Sequence, residues 1–246
     1  MLCLNMLYKI AHFLRDQMPW LWDLVDSVNS MVFRIKYGSK LETIENDICR
    51  KEYLKDLLVN GYYVVPIRDV ATGDLVDFFS CQPTEAFRFF KPHGFDSTSV
   101  KKLQKNWAFL GYVLKDVENG KIAGYCFNRS FFHGKGFRGR MVDVNYRGKG
   151  LGTIMNRLLN KVGFGIGLRL FETVSKDNVA SYRSAISASS FRVIEELPHN
   201  ELYLEIINDM KQNNDINKKL IGGGKSHVVM LQPLFVTNYK QERRAA

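Results

Sequence analysis

The sequence predicts an α/β domain preceded by a helical extension, and three observations carry that prediction. Residues 142–153, Val-Asp-Val-Asn-Tyr-Arg-Gly-Lys-Gly-Leu-Gly-Thr, pass from an apolar extended run through a glycine-punctuated turn into an amphipathic helix. Runs rich in β-branched and aromatic residues recur between positions 62 and 146, with turn signals between them. A second strand, helix, strand succession follows from Leu168 to Ile207. The patterns divide the chain into a helical extension over 1–50, a domain over 51–207 and a polar, basic tail over 208–246.

Met18, Leu21, Trp22, Val25, Val28, Val32 and Ile35 recur at intervals of three and four, so one apolar stripe of a helix is expected there. Pro19 separates it from an earlier helical segment over 2–16, and Gly38 is expected to stop it. The stripe is expected to pack on the domain or on another copy of the chain. Trp20 and Trp22 also suit a membrane-surface element, although the polar face mixes acids and bases. Residues 62–67 form the first strand, and 83–90 and 97–106 read as helices, with Thr84 and Ser97 able to cap them. The aromatic run Phe87, Phe89, Phe90, Pro92, His93 and Phe95 has two readings, a lid over an acceptor or ordinary core aromatics.

Segments 107–117 and 121–128 form a hairpin around Glu118-Asn119-Gly120, where Asn-Gly favours a tight turn. The fourth strand is expected over 137–146 and the helix after the turn over 150–162, burying Leu151, Ile154, Met155, Leu158 and Val162. The fifth strand, 168–174, is reached by a crossover through that helix and is therefore parallel to the fourth. A helix over 178–188 and strands over 191–195 and 202–207 complete the domain, and only 228–236 of the tail has strand character.

The turn carries the chemistry. Gly148, Gly150 and Gly152 remove side chains that would keep an anion from the backbone. The first N–H groups of the following helix have no intrahelical partner and point into the turn. Arg147 and Lys149 add two positive charges, a combination suited to a pyrophosphate. The glycines run G-x-G-x-G and so miss the dinucleotide fingerprint G-x-G-x-x-G. Gly222, Gly223, Gly224, Lys225 and Ser226 hint at a phosphate loop, but Lys219 stands where its leading glycine belongs, and the segment reads as a polar turn.

The formal charge of +10 is concentrated around the turn: Arg129, Lys135, Arg138, Arg140, Arg147, Lys149, Arg157 and Lys161 face one acid, Asp143, between residues 129 and 161. A polyanionic cofactor fits that excess better than nucleic acid, since no aromatic RNA motif or recognition helix accompanies it. Cys3, Cys49, Cys81 and Cys126 are far apart, which indicates neither zinc nor a disulfide framework and suits a reduced, cytoplasmic setting. No apolar run of membrane-spanning length and no secretion signal are visible.

Arg147-Gly148-Lys149-Gly150-Leu151-Gly152 matches R-x-x-G-x-G and resembles the acetyl-CoA signature of the GNAT family of N-acetyltransferases. Thr173-Val174, the helix opening at Ser175-Lys176-Asp177-Asn178 and the strand at Phe191-Arg192-Val193-Ile194 resemble the family's second block, and the likeness covers roughly 60–206. The resemblance implies a mixed, mostly antiparallel sheet with one splayed parallel pair, flanked by helices. It implies acetyl-CoA as cosubstrate without a metal, and direct acetyl transfer to a primary amine. An amino sugar or other small molecule is the first expectation for the acceptor; a protein N-terminus, lysine or amino acid stays open. By the same resemblance Val142 to Val144 lend backbone to the pantetheine arm, with an oxyanion donor near Val142. Arg147, Gly148, Lys149, Gly150, Leu151, Gly152 and Thr153 hold the pyrophosphate, and Asn178 approaches the pantetheine.

The chain departs from the family pattern at three places. Val144 stands for a common Pro, Ser190 for a Gly, and Ala185 where the general-acid Tyr is usual; Tyr182, one turn earlier, is the alternative acid. Glu172, a carboxylate where the fifth strand expects an apolar side chain, is the first candidate base, on the expectation that burial raises its pKa. Asp143 is the second. Each has a structural alternative, an ion pair with Arg138, Arg140 or Arg169. Because Ala185 replaces the Tyr, a catalytically silent acyl-CoA-binding module is the competing class. A membrane-surface or self-associating role for residues 1–38 is the third.

Overall fold

The computed structural model describes residues 19–50, 53–56 and 60–208; the expected segment over 2–16 and the turn and strand in the tail lie outside them. Helix α1 (Pro19–Ile48) and the short α2 (Tyr53–Asp56) precede β1 (Tyr62–Pro66), and α3 (Thr72–Ser80) and α4 (Ser97–Lys105) follow it. Strands β2 (Phe109–Asp116), β3 (Ile122–Ser130) and β4 (Lys135–Val142) lead to α5 (Leu151–Gly165) and β5 (Arg169–Ser175). Helix α6 (Val179–Ala188), β6 (Phe191–Leu197) and β7 (Glu201–Ile206) complete the described chain. The seven strands form one sheet in the order β1-β2-β3-β4-β5-β7-β6, antiparallel throughout except for the parallel β4–β5 pair.

Alternation of side chains along the strands sends two apolar sets to opposite faces. Tyr112, Leu114, Cys126 and Leu170 pack on one face with Phe33, Tyr37 and Leu41 of α1 and Leu151, Met155, Leu158 and Leu159 of α5. Val113, Tyr125, Phe127 and Met141 pack on the other with Leu75, Phe78 and Phe79 of α3 and Val100 of α4. Asp96 caps α4, accepting from the backbone N–H groups of Thr98 and Ser99, one residue before the cap the sequence suggested.

The structure corrects four expectations. Gly38 does not stop α1, because Leu41 and Ile48 beyond it reach the core and that burial outweighs the ~1 kcal/mol cost of a helical glycine. The face of α1 that packs on the domain is Asn29, Phe33, Tyr37 and Leu41, not the predicted stripe: Val25, Val28 and Ile35 are exposed. Of the helix expected over 83–90 only a 3₁₀ turn, Thr84–Phe87, forms, since Phe87, Phe90 and Phe95 turn inward to pack on one another. The fourth strand ends at Val142, where the Asp143 carboxylate accepts from Asn145 N–H and starts a 3₁₀ turn over Val144–Tyr146. Helix α3 is an addition to the sequence expectations, and it buries Leu75, Phe78 and Phe79.

Helix α5 approaches β5 closely at Gly163, where an added Cβ would lie 2.6 Å from Leu170 Cδ2 in the sealed core. Gly163→Ala is expected to overpack that contact at about 1–3 kcal/mol, outweighing the ~1 kcal/mol gained in helix propensity. Urea denaturation checks the sign; a more stable variant would mean that helix and strand can move apart.

Candidate active site

Parallel pairing between β4 and β5 is confined to Lys135 with Arg169, Gly136 with Leu170 and Phe137 with Phe171. Beyond that register β4 continues to Val142 on β3, and β5 continues to Ser175 on β7, without pairing to each other. The two strands diverge, and backbone groups line the opening. Asp143 N–H donates to the Ala123 carbonyl on the β3 side, so by strand alternation Val142 N–H points away from β3, into the opening. That is the position expected for an oxyanion donor.

The turn after β4 stands at the mouth of this opening. Gly148 and Gly150 both adopt positive φ, 78° and 75°, and an added Cβ at either would meet nothing within 4 Å. Gly150 is the N-cap of α5 and offers no side-chain cap, in contrast to Asp96 on α4 and Asn178 on α6. Thr153 N–H and Ile154 N–H both donate to the Gly150 carbonyl, so the amides of Leu151 and Gly152 are the ones free to meet an anion. Their side-chain positions are internal: Leu151 is buried, and a Cβ on Gly152 would lie 3.3 Å from Ser184 Oγ of α6. Arg147 and Lys149 are exposed, and the Lys149 ammonium lies 4.8 Å from the Tyr146 ring centroid. The Tyr146 hydroxyl donates to Asp116 Oδ2 at 2.9 Å, which fixes that ring.

Glu172 corrects the first candidate base. It is buried between two guanidinium groups: Arg138 Nε donates to Oε2 at 2.6 Å and Arg140 Nη1 donates to Oε1. Burial alone pushes the carboxyl up, but the Arg140 and Arg138 charges and hydrogen bonds together outweigh it and hold the group below the usual glutamate value. A carboxylate so held is a poor proton acceptor. Arg140 Nη2 also donates to the Ser181 carbonyl at 2.8 Å and to Ser184 Oγ at 2.9 Å, which ties β4 to α6. Arg138 Nη1 donates to Asn160 Oδ1, and its Nη2 is buried with no acceptor among the described residues.

Asp143 is buried where β4 ends, accepting from Gln82 Nε2 at 2.7 Å and from Asn145 N–H at 2.8 Å. Gln82 also accepts from Val144 N–H, so one side chain after α3 clamps both sides of the strand end. No sequence signal marked it. The Asn178 side chain accepts from Ser181 N–H as the cap of α6. Tyr182 is half-buried against the core, and Ala185 is fully buried in its place one turn later. Of the aromatic run after α3, Phe95 packs on Phe79, Phe87 and Phe90, and His93 lies among Phe79, Phe109 and Phe127. The His93 Nδ1–H donates to the Gly94 carbonyl, which leaves Nε2 to accept from the Tyr125 hydroxyl at 2.9 Å. Phe87, Phe90, His93 and Phe95 are thus half-buried against the core, and Phe89 is exposed.

A separate polar cleft lies between α1 and the end of β1, beside Trp107. Arg34, Glu45, Arg68 and Trp107 line it, and they largely satisfy one another: Arg68 pairs with Glu45, and both guanidinium groups lie over the Trp107 ring. Among the described residues no cluster of side chains suits a metal ion, and no helix is long and apolar enough to cross a membrane.

No family model and no curated protein sequence matches the chain. Solved structures do. The chain is similar to a ribosomal-protein-S5-alanine acetyltransferase from Vibrio fischeri, with 16% identity, a TM-score of 0.51 and coverage of 61% of this chain and 95% of that one. It is equally similar to the GNAT domain of an S. lividans protein, PAT, with 16% identity, a TM-score of 0.51 and coverage of 59% and 89%. With the splayed parallel pair and the glycine turn already described, these likenesses show that the chain has the GNAT N-acetyltransferase fold.

Glu172→Gln is expected to destabilise the protein by about 3–5 kcal/mol, because it leaves two buried guanidinium groups short of a counter-charge. Because the folded-state pKa is depressed, the contribution of Glu172 is fully present above its ordinary value of 4.5 and is lost as pH falls through the lower folded value. Urea titrations of wild type and Glu172→Gln between pH 3 and pH 7, on the order of the range set by that sign, should show the two curves converging at the acid end. A constant difference across the range would remove the ion pair as its cause.

Proposed function

We infer that the protein is an acyl-CoA-dependent N-acyltransferase that moves an acetyl group from acetyl-CoA directly to a primary amine. The observation that carries this reading is the uncapped N-terminus of α5, entered through two positive-φ glycines and opening beside two parallel strands that have stopped pairing. A diphosphate would take the amides of Leu151 and Gly152 as its donors, flanked by Arg147 and Lys149. The pantetheine amides would replace the lost ladder between β4 and β5, as a strand does at an open edge.

The chemistry asks three things of the chain: an amine without its proton, a donor for the thioester oxygen as charge develops, and tolerance of the CoA thiolate. Val142 N–H supports the second role by its direction. Asp143 is the remaining candidate for drawing off the amine proton, directly or through water, since Glu172 is held as an ion pair. Tyr182 is the candidate proton donor to the thiolate. The amine itself stays at the level of its class. Phe87, Phe90 and Phe95 pack on one another and stay half-buried, so amino sugars, other small amines and peptide N-termini enter the test together.

A second reading has two observations in its favour. Arg138, Glu172 and Arg140 fill the α6 side of the opening, and Ala185 replaces the expected tyrosine, which suits a module that binds acyl-CoA without turnover. Calorimetry with acetyl-CoA and a thiol-release assay over a panel of amines separate the two. Binding with CoA release supports the transferase, and binding with no release on any amine supports the silent module. Gly150→Asp should weaken acetyl-CoA binding by at least about 100-fold, because a carboxylate faces the diphosphate and a non-glycine residue must hold a positive φ. Unchanged affinity would place the diphosphate elsewhere.

A further inference from the structure

Helix α1 is apolar on two opposite sides. Asn29, Phe33, Tyr37 and Leu41 face the domain and are buried, while Leu24, Val28, Met31 and Ile35 lie on the far side, 47–80% exposed. With 3.6 residues per turn these four form a continuous ridge, spaced 4-3-4 as in the seam of a helix pair. No charged residue interrupts it, and Val25 and the half-buried Val32 widen it on one flank. Monomeric soluble proteins rarely leave such a ridge uncovered.

The spacing and the charges together select the occupant. Because 4-3-4 reads the same in both directions, a second copy of α1 lying antiparallel brings Leu24 level with Ile35 and Val28 level with Met31, twice over, about one two-fold axis. On the flank carrying charge, Asp23 of one copy then comes within about a turn of Arg34 of the other, whereas a parallel pair would set that charged flank against the Val25 and Val32 flank of its partner. Both side chains are exposed; Asp23 meets Lys102 and Arg34 lies over Trp107 within their own chain, and neither contact covers the ridge. A lipid surface fits less well. Helix α1 carries Asp23, Asp26, Glu42, Glu45 and Asp47 against Arg34, Lys36 and Lys40, an acidic balance that an anionic leaflet repels.

We propose that the protein is a two-fold symmetric dimer formed by antiparallel pairing of α1 through Leu24, Val28, Met31 and Ile35. Sedimentation equilibrium of the full chain should give the mass of two chains. Met31→Glu with Ile35→Glu should give one chain with an unchanged circular dichroism spectrum, since both side chains are on the surface. Arg34→Glu should weaken the dimer at least tenfold, and adding Asp23→Arg to it should restore the affinity. A monomeric wild type overturns the proposal, whether or not it co-sediments with phosphatidylserine vesicles. Failure of the double swap to restore association overturns the antiparallel register. None of these readouts depends on acetyl-CoA or on turnover.

Discussion

Where the backbone ladder between β4 and β5 ends at Phe137 and Phe171, a single carboxylate takes over the work of joining them. Glu172 on β5 is gripped by Arg138 and Arg140 on β4, and Arg140 goes on to α6 through Ser181 and Ser184. Two parallel strands can therefore separate without the sheet splitting, since ionic hydrogen bonds replace those the diverging backbones give up. The backbone on the opening keeps unpaired amides, of which Val142 N–H is the one the proposed reaction uses. An apolar residue at 172 would pack on α5 and leave two guanidinium groups without a counter-charge. That is why a strand otherwise built of Leu170, Phe171 and Val174 tolerates a glutamate at its centre.

Around that join the fold presents complementary parts at one end of the sheet. The turn through Gly148 and Gly150 delivers α5 with its first amides bare, and Gln82 pins the strand end through Asp143 and Val144. Gly152 lets α6 come close to α5, so the second helix stands beside the opening. The other end of α5 is given over to packing, where Gly165 receives Ile44. The separate cleft near Arg68 and Trp107 closes on its own charges. Helix α1 thus supports the domain from the end away from the chemistry. Its outward ridge can take part in assembly without touching the opening.

The sequence by itself determined whatever local chemistry determines. Glycines at 148 and 150 hold conformations that cost other residues energy, and the helix after them has bare amides in any context. The alternation of apolar runs, the Asn119-Gly120 turn and the crossover through α5 likewise required a sheet of this kind, because periodicity and chain handedness act over a few residues. Tertiary structure decided everything that depends on which neighbour arrives. Glu172 is a buried carboxylate in either account, but its charge state is set by Arg138 and Arg140, which come from another strand. Helix α1 has two apolar sides, and only the docked domain chose Phe33 and Tyr37 over Val28 and Ile35. The aromatic residues after α3 could cover an acceptor or fill a core with equal local propensity; contacts with Phe79 and Tyr125 set Phe95 and Phe90 half-buried against the core. A side chain's partner is a non-local fact, and spacing along the chain does not encode it.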